Sequence, residues 1–253
     1  MTRIAVLSAL AEEQHGLLAL LRQPQEIRHA GRDFWLGELH GQHVVLALSR
    51  IGKVAAATTA TALIERFHVT RIVFTGVAGG LAPGVQVGDV VVASSFVQHD
   101  MDASPIFPRY ELPLYGRSLM ACDETLSALL FEAACNHLAR VEAGFDTQDG
   151  VTAHRVHRGL IASGDRFVSA AAQSTALRRA LRSAGHEALA VEMEGAAVAQ
   201  VCLDYGVPFA AVRTISDRAD DQAHLDFATF VREVASRYAC AIIGRALRSL
   251  LNK

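Results

Sequence analysis

The sequence predicts one three-layer α/β domain, residues 1–253, with a mixed central β-sheet flanked by helices. Three observations predict it. Short apolar runs of strand length alternate with longer stretches whose apolar residues recur at helical spacing. Polar and acidic residues recur directly after the apolar runs, and in open α/β sheets ligands bind at such strand ends. Hydrophobic residues make up 51% of the 253 residues, ample for a sizeable core, and no repeat, low-complexity tract or linker divides the chain.

Ile4 to Leu10 reads as a buried first strand. Ala11-Glu12-Glu13-Gln14 opens a helix with Leu17, Leu18, Leu20 and Leu21 as its apolar stripe. Phe34 to Leu39, the turn His40-Gly41-Gln42, and His43 to Ser49 form a hairpin. Ile51-Gly52-Lys53 leads into an Ala- and Thr-rich helix, Val54 to Phe67. Arg71 to Gly76 is a strand that runs into the glycine-dense loop Gly76 to Gly84, and Gly88 to Val97 is another strand. Gln98 to Gly116 is long and irregular, the kind of loop that is usually functional or at an interface. Ser118 to Leu138 is an amphipathic helix, followed by the polar segment Thr147 to Arg155. His157 to Ser163 is a strand, Ala170 to Ser183 a helix, Ala188 to Met193 a strand, and Gly195 to Tyr205 a helix. Pro208 to Ile215 is the last strand, and Asp226 caps a closing helix that reaches Leu251.

Several function classes are excluded early. Net charge is −2 with the signs mixed, so neither a nucleic-acid stripe nor a charged tail stands out. Cys122, Cys135, Cys202 and Cys240 are scattered without a Cys-x-x-Cys pair, which argues against a disulfide framework and a zinc site. The first apolar run is too short for a signal peptide or membrane span, so a cytoplasmic protein without membrane or nucleic-acid partners is expected. Gly52-Lys53 lacks the flanking residues of a triphosphate loop, and Gly76-Val77-Ala78-Gly79-Gly80 is not a dinucleotide fingerprint. No Gly-x-Ser-x-Gly nucleophile is present.

What remains is a set of carboxylates after strands: Glu13, Asp165, Glu192, Glu194 and Asp217. At strand period Glu192 and Glu194 point to one side, and acidic groups are rarely buried without a partner. They read either as negative charge stabilising a helix N-terminus or as ligand-binding groups. Glu12 and Glu13 carry the same two readings. Separate carboxylates without a Cys/His set suit acid/base chemistry, with no metal and no cofactor, better than hydride transfer.

The chain resembles the nucleoside phosphorylase/nucleosidase superfamily, and within it the bacterial 5′-methylthioadenosine/S-adenosylhomocysteine nucleosidases. The residues that carry the resemblance are Ser8-Ala9-Leu10-Ala11-Glu12-Glu13, Ile51 to Ala56, Thr75 to Pro83, Val87 to Val92, His99-Asp100-x-Asp102, Ser163-Gly164-Asp165-x-Phe167, Val191 to Ala197 and Val212 to Asp217. They span nearly the whole chain in the family's order. The resemblance implies a nucleoside phosphorylase-like fold and hydrolysis of the N-glycosidic bond of 5′-substituted adenosines. It implies Asp217 as the general acid toward adenine N7, oriented with help from Ser216, and Glu13 as the water-activating carboxylate. Glu194 would hold the ribose hydroxyls, with Glu192 at the same substrate edge and Met193 against the sugar. Phe167 would stack on adenine, the Val168 backbone would bond its edge, and Ala78 and Gly79 would line the ribose side. Leu10, Ile51, Phe107 and Phe227 would enclose the alkylthio group. A homodimer is implied, with the 98–116 loop near the partner's site and Phe107 supplied across the interface.

Three departures stand out. Val77 occupies a position where close relatives commonly have Ser, and Arg50 one where they commonly have Gly. Phe107-Pro108-Arg109-Tyr110-Glu111 differs from the usual loop. Arg50 raises the alternative of a phosphorylase, since a guanidinium near the reactive sugar carbon could bind phosphate. Related enzymes act on aminofutalosine or adenosylhopane, so another adenosine conjugate is a further alternative. A nucleoside sensor that has lost catalysis is the non-enzymatic one.

Overall fold

The computed structural model describes residues 2–142, 154–220 and 230–251. Among these residues, ten strands make one mixed sheet: β1 (Ile4–Ser8), β2 (Arg22–His29), β3 (Arg32–Leu39), β4 (Gln42–Leu48), β5 (Arg71–Gly80), β6 (Val90–Gln98), β7 (Leu119–Ala121), β8 (Val156–Ser163), β9 (Ala188–Glu192) and β10 (Phe209–Asp217). The helices among the described residues are α1 (Ala11–Ala19), α2 (Lys53–Glu65), α3 (Glu124–Glu142), α4 (Ala171–Ser183), α5 (Gly195–Tyr205) and α6 (Ser236–Leu250), the last preceded by a π-helical turn, Val231–Ala235.

The sheet has a wing and a closed ring. The wing runs β2-β3-β4-β1-β5. From β5 the ring continues through β10, β6, β8 and β9 and returns to β5. The mixed sheet is the one expected from the sequence, and its closure into a ring is what the sequence did not indicate. β6 is antiparallel to β10, and β9 runs antiparallel to β5. The ends converge because β9 meets only the tip of β5, pairing Val191 with Gly79 and Ala190 with Gly80. Of the glycine-dense stretch expected as a loop, Gly76 to Gly80 are therefore the last part of β5, and residues 81–84 are a turn.

Apolar side chains close both faces. On one face Ala56, Ala60 and Leu63 of α2 and Ala196, Val198 and Cys202 of α5 pack on Phe74, Phe96 and Ala211. On the other, Leu17 of α1, Leu126 and Leu130 of α3 and Ile242, Ile243 and Leu247 of α6 pack on Ile4, Val6 and Val212. Every residue of β10 is buried, as expected for a strand covered on both sides, and this carries Arg213 and Asp217 into the interior.

Two elements differ from expectation. β2 has an almost wholly exposed, polar sequence containing Pro24; as an edge strand it needs no apolar face and no complete ladder of donors. The helix expected from Ser118 begins only at Glu124, because residues 119–121 pair with β6 and the Asp123 carboxylate accepts from the Leu126 N–H at 2.8 Å. The expected cap Asp226 lies outside the described residues. No helix among the described residues is long and apolar enough to cross a membrane.

Candidate active site

β1 ends at Ser8 and α1 starts at Ala11, so Glu13 falls in the first helical turn directly beyond a strand end. Its side chain turns inward and is buried, whereas Glu12 is exposed. Oε2 accepts from the N–H groups of Ala9 at 2.8 Å and Leu10 at 2.9 Å, and Oε1 from the N–H of Val77 at 3.0 Å. Burial raises its pKa above the ordinary value, against the opposing pull of those N–H groups and of the Arg213 charge.

Asp217 ends β10, in register with Gly79. Its Oδ2 accepts from the Ser216 hydroxyl at 2.8 Å and its Oδ1 from the Ala219 N–H at 2.8 Å. Glycine is required along β5 for steric reasons. A Cβ on Gly76 would stand 2.9 Å from Glu13 Oε1, and one on Gly79 would stand 2.9 Å from Asp217 Oδ1. The two carboxyl groups thus mark the two ends of one four-residue stretch, about 10 Å of extended strand.

Glu192 and Glu194 separate in their partners, and the helix N-terminus reading fits Glu192. Glu192 accepts from the Gly195 N–H at the start of α5, from the Ser163 hydroxyl and from Arg213 Nη2 at 2.7 Å. It is the negative charge at a helix N-terminus and half of a buried ion pair. Glu194 accepts from the Gly52 N–H at 2.8 Å through Oε1, and its Oε2 has no partner among the described residues. Burial first, and then the nearby Glu192 charge, push its pKa up to about 8.

Arg213 is a site residue that the sequence did not single out. It is buried, with its guanidinium carbon 3.9 Å from the centre of the Phe74 ring. Nη2 is paired with Glu192, while Nε and Nη1 have no partner among the described residues. Nη1 lies 3.3 Å from the position a Gly76 Cβ would take, the same notch that Glu13 Oε1 borders. The available signal was an arginine inside the apolar run Pro208 to Ile215, because an interior charge without a role is costly.

Glu13, Glu192, Glu194 and Asp217 line one cavity of about 370 Å³, whereas Arg213, paired with Glu192, does not line it. Of the residues expected at the site, Leu10, Glu13, Ile51, Ala78, Gly79, Phe167, Val168, Glu192, Met193, Glu194, Ser216 and Asp217 all line it. Val77, noted from the sequence as a departure, lines it too, as do Ala9, Arg166 and Val191, which were not anticipated. Phe107 does not line the cavity of its own chain, and Phe227 lies outside the described residues. Arg50 is not at the cavity either: it has a φ of 62°, in the left-handed region that glycine adopts freely, and its exposed guanidinium donates to the Gly31 carbonyl. The backbone N–H of Val77 serves Glu13 whatever its side chain, so the departure there removes only a hydroxyl.

A sequence model of the phosphorylase superfamily matches residues 3–248. The chain belongs to the phosphorylase superfamily. Within that superfamily it is 36% identical, over 96% of its length and 95% of the relative's, to a 5′-methylthioadenosine/S-adenosylhomocysteine nucleosidase of Chromohalobacter salexigens. The solved structure of a nucleosidase of the same description from Neisseria meningitidis, bound to methylthio-immucillin-A, superposes with a TM-score of 0.85 at 31% identity, covering 98% of this chain and 100% of that one. A futalosine hydrolase from Helicobacter pylori superposes with a TM-score of 0.82 at 32% identity, covering 98% of both chains. The mixed sheet with its ring is thus the superfamily's fold.

Proposed function

We propose that this protein hydrolyses the N-glycosidic bond of 5′-substituted adenosines, 5′-methylthioadenosine and S-adenosylhomocysteine, to give adenine and the alkylthioribose. The observation that carries this reading is the placement of Glu13 and Asp217 at opposite ends of the Gly76–Gly79 stretch, facing one cavity.

Adenine leaves poorly as an anion. Protonation at N7 by Asp217 lets it depart neutral, and the sugar becomes oxocarbenium-like, as in glycoside hydrolysis with an acid on one side and a base with its water on the other. Ser216 and the Ala219 N–H orient the Asp217 carboxyl. Glu13, held by three backbone N–H groups, accepts a proton from water as the oxygen attacks C1′. Arg213, paired with Glu192, adds its positive charge near Glu13. Glu194 holds the ribose hydroxyls, Met193 packs on the sugar, and Phe167 and Val168 take the base. Leu10 and Ile51 take the alkylthio group, together with the Phe107 of a second copy.

Arg50 is bound to the Gly31 carbonyl away from the cavity, which favours water over phosphate as the acceptor. The likeness to a futalosine hydrolase keeps an aminofutalosine-type conjugate as the second reading of the substrate. The protein is read as a homodimer serving methionine salvage in the cytoplasm, where its four free thiols suit a reducing compartment.

Product analysis tests the reaction. Methylthioadenosine in phosphate-free buffer should yield adenine and free methylthioribose, and a requirement for phosphate with a sugar 1-phosphate product would mean phosphorolysis. Asp217→Asn should lower kcat by about 10²–10⁴-fold, the usual range for one acid/base group, with an unchanged circular dichroism spectrum. Near wild-type turnover by that variant would remove Asp217 from the mechanism.

A further inference from the structure

The cavity has a closed end and an open rim. Asp217 is 2% exposed at the closed end, whereas Ile51 is 58% exposed and Phe167 is 40% exposed. The segment carrying Phe167 packs against the one carrying Ile51: Asp165 Oδ1 accepts from the Lys53 N–H at 2.7 Å and lies 3.2 Å from the position of a Gly52 Cβ. Arg166, between Asp165 and Phe167, lines the cavity at this rim and is exposed.

Three cations lie on these two segments, and two are committed. Lys53 Nζ is held by Asp100 and by Gln98 Oε1. Arg50 is held by the Gly31 carbonyl. Arg166 has neither an ion pair nor a hydrogen bond among the described residues; its neighbour Asp165 is turned to the start of α2 instead. A guanidinium without a partner at the mouth of a largely apolar cavity presents a planar fork of donors suited to a carboxylate.

With the base at Asp217 and the 5′ group at Leu10 and Ile51, a methylthio group ends inside the cavity. A longer thioether leaves past Ile51 and Phe167. We propose that Arg166 determines specificity at this exit by binding a carboxylate at the end of a long 5′-thioether substituent, such as the homocysteinyl tail of S-adenosylhomocysteine. The inference rests on the nucleosidase reading for the pose of the substrate.

The test compares 5′-methylthioadenosine, 5′-(3-carboxypropylthio)adenosine and the methyl ester of the latter. In the wild type kcat/KM should favour the acid over its ester, and Arg166→Gln should reduce that ratio about threefold to fivefold, the upper range for an exposed ion pair. R166E should reduce it further, and raising ionic strength should bring the wild-type ratio toward that of R166Q. An unchanged acid-to-ester ratio in R166Q, or an equal loss on all three compounds, overturns the proposal. Equilibrium binding of the same compounds to Asp217→Asn protein, with and without R166Q, reads the carboxylate contact without turnover. Absence of adenine release by the wild type would end the nucleosidase reading, while the binding ratio would still decide the role of Arg166.

Discussion

Two glutamates separated by one residue show how little a side chain's identity says until its partners are known. Glu192 is surrounded by donors, including a buried guanidinium, and functions as an ion-pair anchor and helix cap. Glu194 is buried, has one backbone donor and sits near two other carboxylates, Glu192 and Glu13, so burial first and then those charges push its pKa up to about 8. The sign of the linkage follows. Folded Glu194 keeps a proton that the unfolded chain releases near the ordinary value of 4.5, so its contribution to stability is full below that pH and declines as pH rises toward 8. Glu194→Gln, which cannot ionise, should therefore raise Tm relative to the wild type at pH 9 and leave it nearly unchanged at pH 4. For a chain of this size about 1 kcal/mol appears as roughly 2–4 °C. A Tm difference that stays the same from pH 4 to pH 9 would contradict the assignment. Arg213 was legible only as an oddity, a charge in an apolar strand. What it pairs with is a long-range property that strand periodicity does not contain.

Among the elements, the tip of β5 carries most of the site. Its glycines were visible in the sequence as a dense run, but their density suggested a loop. They are strand residues because β10 pairs with Gly76 and Gly79 and β9 with Gly79 and Gly80, and Gly76 and Gly79 are glycines because a carboxylate stands where each side chain would project. Gly76→Ala would place a methyl group 2.9 Å from Glu13 Oε1. Glu13 is fixed by three backbone donors and has little room to yield, so kcat should fall by about 10²-fold, the scale of an ångström-sized misplacement in an active site. Gly84, where an added Cβ meets nothing within 4 Å, is the matched control, and G84A should turn over normally. Where an element's signal is local, the reading from sequence succeeded: β1, the β3–β4 hairpin, α2, α5 and β10 lie within a few residues of expectation. Where the signal is supplied by a neighbour it failed. β2 forms against β3 without an apolar pattern, and β7 forms against β6 in place of a first helical turn.

At the scale of the molecule, alternation of strands and helices was enough for the three layers, but not for the ring. Closure depends on two residue pairs between β9 and β5, contacts between segments more than a hundred residues apart. The proposed interface with a second copy comes from the family resemblance alone. Among the described residues, exposed apolar side chains occur on the neighbouring elements expected to meet a second copy: Val54 at 79% exposure on α2, and Ile106 at 81% and Leu114 at 90% in the 98–116 loop. The loop is tied to α5 through the Tyr115 hydroxyl, which donates to Asp204 at 2.8 Å. Val54→Asp should shift the protein from dimer to monomer in sedimentation and raise KM for methylthioadenosine, since Phe107 would no longer reach the neighbouring cavity. A fully active monomer would show that each chain completes its own pocket.

The double pairing of Gly79, with Asp217 on one side and Val191 on the other, also limits how this protein can diverge. Side chains alternate along a strand, so sliding either neighbour by one residue would turn its carboxylate or its apolar partner to the wrong face. An insertion or deletion beside Gly79, Val191 or Asp217 would therefore displace this pairing, whereas β10 already absorbs an extra residue between Ile215 and Asp217. New substrates must be acquired by exchanging side chains around the mouth, at positions such as Ile51 and Arg166, while the strands beneath keep their length.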